Sequence, residues 1–169
     1  MLDSWKGESR AGVVGLTLLR MVTGVILAAH GWEKLIGYQE WHAQVVQLGI
    51  PFPDVAAPLA IAAELGGGVG LVVGLLTRLA AFGAAFNMGV AIATVHFSHG
   101  LFARDNGFEY PLLLLVSCLY FVLRGAGAVS LDALWSRPGG RVVTDSAHSP
   151  SGHYPANPAR RERYSQRMT

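Results

Sequence analysis

Three stretches of this chain, residues 13–31, 55–76 and 79–97, are predominantly apolar and hold between them one arginine, Arg20, and one carboxylate, Glu64. A helix needs roughly 20 apolar residues to cross the hydrocarbon core of a bilayer, with about 17–25 tolerated, and all three fit. A fourth stretch, about 108–123, reaches that length only if its small-residue continuation to about 128 stays helical. The fold class that follows is all-α, a polytopic membrane bundle of four helices. Composition agrees: 51% of the 169 residues are hydrophobic and 14% are charged, against about 25% charged in soluble domains. The net charge of +2 is small, and its basic residues gather near span ends and in the tail, which reads as membrane topology rather than nucleic-acid binding. Lys6, Arg10 and the pair Ala28-Ala29 resemble parts of a signal peptide. The first stretch is too long for that and contains Arg20, so it is read as a span.

Lysine and arginine counts orient the bundle. With four spans, one side carries Lys6, Arg10, Arg78, Arg124, Arg137 and Arg141, and the other only Lys34 and Arg104. The positive-inside bias places both termini in the cytoplasm. Residues 1–135 form the membrane domain on this reading. From residue 136, Ser, Pro, Gly, Arg and His dominate; a tail of this composition buries too little apolar surface to order itself, so 136–169 is expected to be a disordered cytoplasmic tail. Between the first two spans, Trp41, Val45 and Leu48 share a helical stripe. This predicts an interfacial amphipathic segment with Trp32, Tyr38 and Trp41 at headgroup depth, either as an anchor or as a lid over an outer-face site.

Charge inside a span is expensive, so such residues face the bundle interior and find partners. Arg20 lies roughly 16 Å from the outer end of its stretch and Glu64 roughly 14 Å from the outer end of the next, counting 1.5 Å per residue. Antiparallel spans would bring them to one level, and Asn87 lies within an arginine's reach. The expected polar centre is therefore Arg20, Glu64 and Asn87. Three readings stay open for it: an ion pair that locks helix register, a ligand or quinone contact, and proton or ion conduction. Gly66, Gly70 and Gly74 form two GxxxG steps, a pattern that lets helices approach closely within the chain or in a homo-oligomer.

A second polar group gathers at the outer face: His30, Glu33 and Lys34 close the first span, His96 and His99 the third, and Asn106, Glu109 and Tyr110 open the fourth. Asn106 or Asp105 could cap that fourth helix. A metal is not assigned, because only His96 and His99 stand at chelating distance in sequence and no HExxH or second pair exists. Solvated interfacial histidines and a polar mouth for a quinone headgroup both remain, with Glu33 or Glu109 as proton-exchanging groups in the latter. The lone Cys118 cannot form an internal disulfide or a CxxC couple. No haem, flavin or iron–sulfur motif is present, so any redox chemistry is borrowed from a quinone or a redox-protein partner.

In this order, Leu19-Arg20 through Gly24, His30-Gly31-Trp32-Glu33-Lys34, Leu48-Gly49-Ile50-Pro51, Glu64-Leu65-Gly66-Gly67-Gly68, Gly74-Leu75-Leu76-Thr77-Arg78, Asn106-Gly107-Phe108-Glu109 and Ser130-Leu131-Asp132 resemble the DoxX family of small bacterial membrane proteins. Ala126 stands where that family often has proline. The resemblance implies a four-helix domain in the bacterial cytoplasmic (inner) membrane. It also implies a link to membrane oxidoreductase assemblies, without an established catalytic residue set. The expected function is an integral membrane subunit of an oxidoreductase system, in contact with quinone or a redox partner. The alternatives are a non-catalytic scaffold that recruits proteins through its glycine faces and, more weakly, a solute carrier.

Overall fold

The structure, a computed structural model, describes residues 9–136. Lys6, Arg137, Arg141 and the expected tail lie outside the described residues. Every regular element within them is helical. Helix α1 (Arg10–Ile36) opens on Ser9, whose hydroxyl accepts a hydrogen bond from the Gly12 N–H at 3.2 Å, one of the amides left orphaned at any helix start. It runs past the apolar stretch to Ile36, so Lys34 is a helical residue. Gly37 breaks it, and α2 (Tyr38–Gln47) follows.

Helix α3 (Pro53–Val73) is not uniform. It is α-helical over Pro53–Ile61, opens into a π-helical turn over Ala62–Gly66, and is α-helical again over Gly67–Val73. Helix α4 (Thr77–His99) does the same, with α-helix over Thr77–Ala91, a π turn over Ile92–His96 and a 3₁₀ turn over Phe97–His99. A π turn accommodates one extra residue, so side chains beyond it are rotated by about 100° relative to a regular helix. Helix α5 (Glu109–Arg124) and the short α6 (Leu131–Trp135) complete the described chain. Three helices, α1, α3 and α4, are long and apolar enough to cross a membrane. With 16 residues, α5 is shorter. It nevertheless packs along α4 and supplies Leu114, Cys118 and Phe121 to the core that Leu16, Leu27, Leu71, Ala84 and Met88 build from the other three.

Glycines set the helix distances. A Cβ on Gly24 would lie 2.6 Å from the Gly68 carbonyl, and one on Gly31 would collide with the Leu65 backbone. Helices α1 and α3 therefore touch backbone to backbone, in an antiparallel register with 31 opposite 65, 28 opposite 68 and 24 opposite 72. On the other side of α3, Gly67 faces the Ala80 carbonyl of α4. The expected Gly66–Gly70–Gly74 stripe serves only in part: Gly70 packs against Ala80 of α4, where a Cβ would lie 3.0 Å from the alanine Cβ. A Cβ on Gly66 would meet nothing within 4 Å, Gly70 abuts the α3–α4 turn, and Gly74 ends α3 in the left-handed conformation at φ +70°.

Outside the contacts lies a nearly continuous apolar surface. Val14, Leu18, Val22 and Val25 of α1, Phe82 and Phe86 of α4, and Leu113, Val116 and Leu123 of α5 are all exposed. A surface this apolar on every long helix is suited to lipid.

A polar cavity between α1, α2, α3, α4 and α5

The two intramembrane charges do not meet. Arg20, with 2% of its surface exposed, donates to the Leu71 carbonyl at 2.6 Å, to Val72 at 3.4 Å and to Val129 at 2.7 Å. The first two are carbonyls of the last turn of α3, where the helix dipole is negative and the chain lacks onward partners. Asp132 works on the facing helix start: its carboxylate accepts from the N–H groups of Leu76 at 2.8 Å and Thr77 at 2.9 Å, while its own N–H donates to the Gly74 carbonyl. Arg20 and Asp132 together clamp the α3–α4 turn, where Leu76 holds φ +46°. The expected pairing of Arg20 with Glu64 fails because the apolar stretches are not flush. Flush ends would set residue 31 against 55; the glycine contacts set it against 65, ten residues or about 15 Å further along.

Glu64 stands in the π turn of α3 with 1% of its surface exposed. Its Oε1 accepts from Lys34 Nζ at 2.6 Å and from Asn87 Nδ2 at 2.8 Å. Oε2 is buried with no hydrogen-bond partner. Lys34 in turn lies 4.3 Å from the centroid of the Trp41 ring, a cation–π contact, and Trp41 Nε1 donates to the Ala57 carbonyl at 3.1 Å. Thus α2 is docked on α3 by its tryptophan and by Val45, which is buried, beyond any role as an interfacial anchor.

Glu64 and Lys34 border a cavity of about 570 Å³. His30, His96, Asn106 and Tyr110 from the outer-face group line the same space, and Leu27, Met88 and Leu114 form its apolar wall. The intramembrane centre and the outer-face group, expected as separate sets, share one cavity with Lys34 at the junction. Asn87 belongs through its bond to Glu64, although it does not line the cavity itself. Three expected members lie elsewhere. Glu33 is exposed, Glu109 accepts from the Ala103 N–H at 2.6 Å in the preceding loop, and His99 bonds the Val95 carbonyl of its own helix.

Asn106 does not cap α5 with its side chain; it sits at φ +62°, and its carbonyl accepts from His96 Nδ1 at 2.8 Å. Because a carbonyl only accepts, His96 carries its proton on Nδ1, and in the neutral ring Nε2 is an acceptor. Gly107 permits this loop: a Cβ there would strike the Gly100 carbonyl and Leu101. His30 meets the Tyr110 ring edge-on at 6.0 Å. Trp41, Gln44 and Gln47 of α2 also line the cavity; the stripe through Trp41 pointed to a segment that could cover an outer-face site, but Gln44 and Gln47 were not singled out in the sequence. Among the described residues no group of three or more His, Cys, Asp or Glu side chains could hold a metal ion.

Described residues whose regular elements are all helical, three helices able to span a bilayer, lipid-suited flanks and a buried carboxylate bordering a polar cavity define a small polytopic membrane protein. The DoxX family profile matches residues 15–97. Relatives extend the match: an "Uncharacterized protein" of Haemophilus influenzae is 34% identical over 127 residues, covering 72% of this chain and 83% of its own. "Inner membrane protein YqjF" of Escherichia coli is 30% identical, covering 73% and 94%, and "Putative oxidoreductase CatD" of Bacillus subtilis is 33% identical, covering 70% and 85%. The chain belongs to the DoxX family. No solved structure matches it.

Proposed function

We propose that this chain is an integral subunit of an oxidoreductase system in the bacterial inner membrane and that its cavity receives a quinone-type headgroup. The observation that carries this reading is Glu64, a nearly inaccessible carboxylate with one unpaired oxygen, in the wall of a 570 Å³ cavity. Polar groups converging in an otherwise apolar pocket are the usual form of a small-molecule site. Intramembrane ionisable residues are functional candidates by default. Leu27, Met88 and Leu114 suit the face of an apolar ring. Lys34 Nζ and Tyr110 supply hydrogen-bond donors to ring oxygens, and Glu64 takes the proton-exchange role in place of Glu33 and Glu109. Electrons pass to or from a redox-protein partner in this reading, in keeping with a sequence that shows no haem, flavin or iron–sulfur motif.

The names of two relatives, an inner membrane protein and a proposed oxidoreductase, support the location and the class. In this reading α5 is the fourth span, and both termini are cytoplasmic; the expected helical continuation to about 128 does not form, because Gly125 at φ +81° and Gly127 at φ +78° turn the chain away after Arg124. The scaffold alternative is weaker, because Gly24, Gly31, Gly67 and Gly68 are already used inside the chain and, of the expected Gly66–Gly70–Gly74 stripe, only Gly66 is open. The test is total quinone, oxidised plus reduced, per chain in protein purified gently from native membranes. About one per chain is expected in the wild type and little in Ala91→Trp, which fills the cavity. Wild-type content no higher than that of bulk membrane lipid would refute the proposal.

A further inference from the structure

We infer that the cavity discriminates by redox state, taking the reduced, hydroxyl-bearing hydroquinone headgroup in preference to the oxidised quinone. This rests on the quinone reading above and adds a direction to it. The two forms have nearly the same shape, so apolar packing against Leu27, Met88 and Leu114 does not separate them. They differ in hydrogen bonding: a quinone carbonyl only accepts, whereas a hydroquinone hydroxyl both donates and accepts.

The cavity presents unmet acceptors. Glu64 Oε1 is occupied by Lys34 and Asn87, but Oε2 is buried and unpaired. His96 has its Nδ1 proton engaged by the Asn106 carbonyl, which leaves Nε2 of the neutral ring as a second acceptor among the lining groups. A hydroquinone can donate one hydroxyl to Glu64 Oε2 while that same oxygen accepts from Lys34. A quinone in the same place turns a lone pair toward a carboxylate and leaves Oε2 unpaired. A site built around a ligand hydroxyl rejects the analogue that lacks it, because its own buried polar group is then left without a partner. The discrimination expected from one such group is about tenfold or more.

The test is equilibrium binding of a short-chain benzoquinone and its quinol, measured anaerobically on the full chain in lipid nanodiscs, with empty nanodiscs as the partition control. Wild type is expected to bind the quinol at least about tenfold more tightly. Glu64→Gln replaces the unpaired acceptor with an amide that can also donate, so the preference should fall to within about threefold or invert. Equal affinity in the wild type, tighter quinone binding, or an undiminished preference in Glu64→Gln would each overturn the inference. Equal binding of both forms, abolished by Ala91→Trp, would remove the selectivity while leaving the quinone reading intact. Binding of neither form above the nanodisc control would remove both. The wild-type comparison needs no variant, so poor folding of Glu64→Gln does not weaken the test.

Discussion

Lys34→Met is the most informative single change. Glu64 has 2% of its side chain exposed and Lys34 has 23%, and the two are 2.6 Å apart. Removing one partner of a buried pair typically costs ~3–5 kcal/mol, because it strands the other charge. Lys34 reaches partly into the open cavity, so some of its strength is screened and the lower figure, about 3 kcal/mol, is expected. Asn87 still donates to Oε1, but a single neutral donor does not replace an ammonium. For a domain of this size a loss of 3 kcal/mol lowers Tm by roughly 10–15 °C. The assay is reversible thermal unfolding in one fixed lipid–detergent mixture. The physical cause is checked with Lys34→Met/Glu64→Gln. If the penalty is the stranded carboxylate, neutralising Glu64 in the same chain restores most of the lost stability, and the double variant melts above Lys34→Met alone. A Lys34→Met shift of only a degree or two, or a double variant no more stable than the single, would refute the claim that this ion pair is a buried, coupled unit.

Other changes probe the frame around the cavity. Gly68→Ala should cost more than about 2 kcal/mol, because its Cβ would enter the α1 backbone at Ala28, whereas Gly66→Ala should be neutral or stabilising by up to about 1 kcal/mol; thermal melts of the two separate the helix-contact face from the open one. Asp132→Ala removes the acceptor shared by the Leu76 and Thr77 amides and should cost about 1–2 kcal/mol, read most directly as faster hydrogen exchange at those two amides. Trp41→Phe keeps the ring but loses the bond to the Ala57 carbonyl. It should loosen α2 by about 1 kcal/mol, seen as quicker protease cleavage in the 37–52 segment with the remaining helices still protected.

The long helices were legible because each carries a run of apolar residues near bilayer length, and the amphipathic segment because Trp41, Val45 and Leu48 repeat at helical spacing. The register was not. Apolar runs say where a helix can lie in lipid but not which residues face each other, and the assumption of flush ends put Arg20 beside Glu64. The information was in the sequence as small residues, Gly24 and Gly31 on α1 and Gly67 and Gly68 on α3, but choosing among five nearby glycines needs the rotation of α3. That rotation depends on the π turn at Ala62–Gly66, which leaves no periodic trace in a segment where Glu64 stands among alanine, leucine and glycine. Within the candidate site, the residue types His30, Lys34, His96, Asn106 and Tyr110 could be read as one surface group. Their union with Glu64 could not, because it follows from the same register.

The separation of Arg20 from Lys34 has a consequence for how the molecule divides its labour. They stand fourteen positions apart on α1, about 21 Å of helix. At one end every assigned hydrogen bond of Arg20 goes to backbone carbonyls. The resulting clamp, closed by Asp132, leaves no polar group facing the cavity and fixes the turn from which α3 and α4 depart. At the other end Lys34 and Glu64 hold each other while keeping an oxygen and several N–H donors in reserve. We read the clamp as serving geometry rather than chemistry: by holding the paired departure of α3 and α4 it sets the spacing between Glu64 on the first and Asn87 on the second. Loss of Arg20 should therefore damage stability at the clamp and blur the Glu64–Asn87 contact, whereas loss of Glu64 should leave the clamp intact. A Glu64→Gln chain whose Leu76 and Thr77 amides exchange as slowly as in the wild type would bear out that division, and faster exchange at those amides would contradict it.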